Sequence, residues 1–144
     1  MIKQQYIDTG KVYFVFRDLP LTEIHPGALL AAHAGNCAAD QQSFWPMHER
    51  IFTGYDAGEW RQGTQADFQV FLGYARELGL DDATFRKCIE SNQYAQQIVS
   101  DVRDAERHGI QSTPAFLING RPLIGAQPFE TFQRVFESML AEGQ

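Results

Sequence analysis

The sequence predicts an α/β protein in which one large helical block interrupts a strand-bearing unit. Three observations carry that prediction. The run KVYFVFR at residues 11–17 is β-branched and aromatic almost without a break. Five amphipathic helical stretches follow, from Pro26 to Gly109, with no strand pattern between them. Strands then return at Ala115-Phe116-Leu117-Ile118 and Arg121-Pro122-Leu123-Ile124, joined by Asn119-Gly120, and a last helix closes the chain.

Residues 1–9 read as the end of a helix. Ile2 and Tyr6 are spaced i, i+4, and Gly10 suits the left-handed position just past a helix end. So short a helix is marginal alone, and the chain reads as starting inside an element. Residues 12–16, apolar on both faces, predict a central strand of a covered sheet, ended by Asp18-Leu19-Pro20. Pro26 suits a first helical turn, with Leu30, Ala34 and Cys37 on one face. Phe44, Met47, His48, Ile51 and Phe52 make a second helix closing near Gly54, and GYDAGEWRQG (54–63) is a loop by composition.

Thr64, with Asp67 three residues on, fits an N-cap before the stripe Phe68, Phe71, Leu72, Ala75, Leu78. Asp81 or Asp82 can cap the next helix, whose inner face is Phe85, Cys88 and Ile89. Ser91-Asn92 interrupts it, and Tyr94, Ile98, Val102 and Ala105 mark a further helix stopped by Gly109. In the hairpin, Pro122 cannot donate to a ladder, so its strand belongs at an edge. Phe129, Phe132, Val135, Phe136, Met139 and Leu140 form the apolar face of the final helix.

Composition narrows the function. The chain has 144 residues, enough for one self-supporting core, and 44% of them are hydrophobic. Its formal net charge of −6 argues against nucleic acid or an anionic membrane as partner. No stretch approaches the roughly 18–20 apolar residues of a membrane span, and the start MIKQQYIDTG has no apolar signal-peptide core. Two cysteines exclude a disulfide-rich scaffold and a four-thiolate zinc site. Cys37 and Cys88 are far apart, so the chain contains no CxxC.

Read from their helices alone, these cysteines are two buried thiols. A redox-active pair would need an exposed, electropositive setting that an apolar helix face does not provide. His33 and Cys37 share one helix turn, and His48 could be imagined nearby, but that is far short of a metal motif. No metal and no cofactor is expected. His108 fits a helix end, where a cation is favoured. Trp45 and Trp60 read as packing residues, and the charged stretch 101–107 as a solvated helix face.

The segment Ser112-Thr113-Pro114-Ala115-Phe116-Leu117-Ile118-Asn119-Gly120 says most. Most X–Pro bonds are trans, and on that ground Pro114 merely starts a strand. The segment nevertheless resembles the TP-x-F-x-I/V-NG signature of thioredoxin-fold oxidoreductases. YIDTGKVYFVFRDLPL, HPGALLAAHAGNCAADQQSFWPMHERIF, LGLDDATFRKCIESNQYAQQI and GIQSTPAFLINGRPLIGAQPFETF together resemble the DsbA-like disulfide oxidoreductases over almost the whole chain.

That resemblance implies a thioredoxin-like α/β fold spanning 1–144 as one domain. Its helical insertion would cover about 25–109, with the thioredoxin-like part at 1–24 and 110–144. It implies a cis Pro114, with Thr113 and Pro114 binding substrate through backbone groups offered to an extended peptide. It also implies a structural disulfide between Cys37 and Cys88, worth roughly 4 kcal/mol in the chain-entropy model.

One departure matters. In the family a first strand leads into a CxxC at the start of the first long helix, where helix amides lower the thiol pKa. The expectation is that this strand and most of that helix, on the order of 25 residues, lie before Met1. No residue here takes a catalytic role. The absent strand would leave residues 12–16 and 115–118 facing a gap, an edge that invites pairing. A start placed late, a fragment, or a native protein filling the gap by homodimerisation or a partner strand would each account for it.

The expected function is thiol–disulfide exchange on protein substrates if the CxxC segment exists natively, with the chain as given inactive. The alternative is a non-catalytic peptide-binding or assembly module using the proline loop and open edge. By resemblance the location is extracytoplasmic.

Overall fold

In the computed structural model, residues 1–142 are described. The chain divides into two compact units: Asp18–Ala105, and Met1–Arg17 together with the residues from Glu106 onward.

The Asp18–Ala105 unit is helical. Its elements are α1 (Ala28–Ala39), α2 (Phe44–Asp56), α3 (Gln65–Glu77), α4 (Asp82–Glu90) and α5 (Ala95–Arg107), whose last two residues belong to the other unit. Helix α1 packs against α2, α3 and α4, and α3 also packs on α2 and α4. The apolar stripes of α1 to α4 meet in one core that includes Ala34, Cys37, Met47, Phe71, Leu72 and Phe85, all fully buried, whereas Phe52, expected on the α2 stripe, is exposed. Each large side chain so buried contributes about 1.5–3 kcal/mol by leaving water.

Local polar groups set the helix starts. Asp81 is the N-cap of α4, and its Oδ1 accepts the Thr84 N–H at 2.8 Å. Thr64 occupies the N-cap of α3 without a side-chain cap bond. Asp67, in the first turn of α3, organises the preceding loop: its Oδ2 accepts the N–H groups of Arg61, Gln62 and Gly63 at 3.1, 2.6 and 2.6 Å.

Gly54 does not stop α2, which runs to Asp56. A Cβ at Gly54 would lie 1.9 Å from the Tyr74 hydroxyl oxygen, so this glycine is there for close approach rather than for a turn. Tyr74 in turn donates to Glu59 at 2.6 Å and lies under the Arg50 guanidinium, 3.8 Å from its ring centre.

The second unit holds a π-helical turn at Lys3–Ile7, β1 (Ala115–Ile118), β2 (Arg121–Ile124) and α6 (Phe129–Glu142). The hairpin register pairs Ala115 with Ile124, Phe116 with Leu123, Leu117 with Pro122 and Ile118 with Arg121. Asn119 and Gly120 both have positive φ, the geometry the two-residue turn demands. Gly10, at φ +73°, ends the first turn as its position required. Tyr6, Phe132 and Phe136 form a small aromatic core, and the Tyr6 hydroxyl donates to Glu137 at 2.7 Å.

The expected central strand at 12–16 does not form. Among the described residues the only sheet is β1 with β2. Val12 packs on the aromatic core, but Tyr13 is 92% exposed and Val15 52%. A strand apolar on both faces needs ladder partners on both edges, and none is present to supply them.

Candidate functional site: the Thr113–Pro114 loop and the buried disulfide

Ser112, Thr113 and Pro114 lead into β1 on exposed chain. The Thr113–Pro114 peptide bond is cis. Pro114 turns its carbonyl into the hairpin, where it accepts the Gly125 N–H at 2.8 Å. Among the described residues, neither the N–H nor the C=O of Thr113 has a hydrogen-bond partner. One donor and one acceptor are therefore presented side by side, at the start of a strand and in water. Below the loop, Phe116 is fixed edge-on against Phe132 at 4.8 Å between ring centres, so the loop stands on a packed base.

The two cysteines lie elsewhere, inside the helical unit. Cys37 of α1 and Cys88 of α4 are joined by a disulfide with Cα atoms 5.8 Å apart. Cys37 has no exposed surface and Cys88 retains 4%. Neither sulfur is an exposed thiol beside a helix N-terminus, and no third cysteine exists in the sequence. The bond also removes Cys37 from the set of metal ligands. Among the described residues no group of three His, Cys, Asp or Glu side chains could hold a metal ion.

His33 is buried, and burial lowers its pKa, so it is neutral at physiological pH. His48 is shifted down by burial too and stacks among Phe44, Trp45 and Phe52. Trp60 packs on Phe71 and donates its indole N–H to the Ile51 carbonyl at 2.9 Å. Trp45 packs against Phe44 and His48 but keeps 45% of its surface exposed.

Two polar clusters escape the sequence pattern. Asp101 is buried, not part of a solvated face, and its Oδ2 accepts the Asp18 N–H at 3.1 Å. Asn36 donates to Asp18 Oδ2 at 2.6 Å. Burial raises the Asp18 pKa, the Asn36 hydrogen bond opposes that, and the Asp101 charge adds to it. In the second cluster Asp40 accepts hydrogen bonds from Tyr94 and Gln93 beside the disulfide. No periodicity signals either cluster, because each joins residues far apart in sequence.

A profile described as thioredoxin matches residues 1–138. The chain belongs to the thioredoxin family. As a thioredoxin-family chain it also aligns with longer proteins. It is 35% identical over 140 residues to the protein named Na(+)/H(+) antiporter NhaA 1 of Salinispora arenicola, covering 97% of this chain and 20% of that protein. Na(+)/H(+) antiporter NhaA 3 of Salinispora tropica is 34% identical over 143 residues, covering 99% and 21%. Na(+)/H(+) antiporter NhaA of Herminiimonas arsenicoxydans is 34% identical over 125 residues, covering 87% and 18%. The thioredoxin-family chain thus spans about a fifth of the length of these curated relatives. The relatives carry antiporter names and none is named as a DsbA protein.

Proposed function

We propose that this thioredoxin-family chain is the substrate-docking scaffold of a DsbA-like protein thiol–disulfide oxidoreductase. The observation that carries the reading is Thr113, whose backbone N–H and C=O are both open at the exposed start of β1. An extended peptide satisfies such a pair by laying its own backbone alongside, as one more strand would. Thr113 and Pro114 then act as the docking residues and fix the peptide near the exchanging sulfurs.

Those sulfurs are not Cys37 and Cys88, which are bonded and enclosed. Exchange therefore needs a CxxC from a segment outside this sequence, and the chain as given is inactive. Protein thiols and disulfides are the proposed substrates, in an extracytoplasmic compartment that suits the Cys37–Cys88 bond.

Binding of a fluorescent, unstructured cysteine-containing peptide tests the docking role directly. The expected result is micromolar affinity that Thr113→Pro abolishes, since proline removes the N–H. Undiminished binding by that variant would contradict it.

A second reading is supported by the antiporter names of the relatives. Here the domain is a non-catalytic peptide-binding or assembly module attached to a transporter, using the same loop and the open edge of β1. Peptide affinity without any exchange activity, even when a CxxC segment is restored, favours this reading. A homodimer formed through the edge would show as a concentration-dependent mass.

A further inference from the structure

Asp40 is the C-cap residue of α1, three positions after Cys37. Its Oδ2 lies 3.9 Å from Cys88 Sγ. This contact is not a hydrogen bond, because a disulfide sulfur carries no proton. The carboxylate is held in place by two donors: the Tyr94 hydroxyl donates to Oδ1, and Gln93 Nε2 donates to Oδ2 at 2.9 Å. Tyr94 remains a donor at neutral pH, its pKa raised by burial and then by Asp40 itself. One negative charge is thus fixed beside one of the two sulfurs. Cys37 has no exposed surface and Cys88 retains 4%, so Cys88 is the less enclosed end of the bond.

We propose that Asp40 is an electrostatic guard on the Cys37–Cys88 disulfide, opposing the approach of thiolates to the Cys88 sulfur beside it. The guard lies wholly in the helical unit and does not depend on the docking role of Thr113. It has a use in any protein handling thiols, because exchange with a substrate or reductant would otherwise leak into a bond that holds the fold.

The chemistry is ordinary thiol–disulfide exchange. An incoming thiolate forms a bond to Cys88 Sγ while the Cys37–Cys88 bond breaks, and the electron pair leaves on Cys37 Sγ. A dithiol reductant supplies the second thiolate, which displaces Cys88 and closes the reductant's own disulfide. Both protein cysteines end as thiols, with protons from the reductant. Asp40 opposes the approach of the first thiolate and the departure of Cys88 as a thiolate.

The test is the rate of Cys37–Cys88 reduction in the folded chain, followed by alkylation and intact mass. Asp40→Asn removes the charge and keeps an acceptor for Tyr94. With dithiothreitol the variant should be reduced about fivefold faster, the effect of one unit charge at about 4 Å in water-like surroundings. The gain should shrink as salt is raised. An uncharged trialkylphosphine brings no negative charge to the sulfur, so its rate should not rise. An unchanged dithiothreitol rate overturns the proposal. Equal gains with both reductants also overturn it, because they indicate local loosening. If Asp40→Asn fails to fold, Tyr94→Phe releases the carboxylate from one donor and must show the same preference for thiolates, or the guard is refuted.

Discussion

The two units solve the burial problem differently. The Asp18–Ala105 block closes its core around aromatic, aliphatic and sulfur side chains, and a disulfide ties α1 to α4 across it. The other unit has three buried aromatic residues at its centre, and Tyr13, Val15, Leu117 and Ile124 remain open. That block also exposes Trp45 and Phe52, but most of its backbone groups are already paired within helices. A two-stranded sheet with an open edge and an unpaired Thr113 backbone has both the groups and the access. Stability and recognition are therefore housed in different stretches of the chain.

Mutations can break that division, beginning with the largest effect. Phe71→Ala, at a fully buried position of the helical core, should cost about 3–5 kcal/mol. Phe136→Ala, in the smaller aromatic core, should cost less, because a looser site collapses more readily. Urea denaturation of both variants checks the order, and a larger loss for Phe136→Ala would erase the contrast.

Replacing Cys37 and Cys88 together by Ala should lower stability by about 2–4 kcal/mol while leaving peptide binding at Thr113 intact. Loss of binding in a variant shown to be folded would mean that recognition is not confined to the other unit. Gly54→Ala forces a methyl group onto the Tyr74 hydroxyl oxygen and should cost about 1–3 kcal/mol. Thermal unfolding would register it, and a neutral result would mean that Tyr74 swings away cheaply.

The smallest expected effect is electrostatic. Asp18 has a raised folded-state pKa, so the fold favours its protonated form. Its contribution to stability is complete below the unfolded carboxylate value and is lost as pH rises through the folded one. Asp18→Asn should accordingly raise Tm by a few degrees at neutral pH, with the gap closing towards about pH 4. A Tm difference that does not vary with pH would refute this assignment of Asp18.

What the sequence disclosed was largely local. The Asn119-Gly120 hairpin, the Asp81 cap and the helical stripes depend on residues within a few positions of one another, and all are present. The two cysteines faced inward from their helices as their spacing indicated, while their bonding came from family resemblance. Residues 12–16 have strand composition but no ladder, since a strand is a property of its neighbours as well as of itself. Gly54 looked like a helix stop because its partner, Tyr74, is remote in sequence. Asp40 and Asp101 were unreadable for the same reason: each gains its role from a group remote in sequence. At the candidate site the Thr113-Pro114 motif was legible, whereas the open state of the Thr113 backbone required coordinates.

The central claim is that this thioredoxin-family chain docks thiol substrates without exchanging them itself. Dithiothreitol-dependent insulin reduction by the purified chain measures this most directly. The rate should equal that of dithiothreitol alone, for the natural sequence and for Cys37→Ser/Cys88→Ser alike. Turnover above that background by the natural sequence, lost when both cysteines are replaced, would contradict the account.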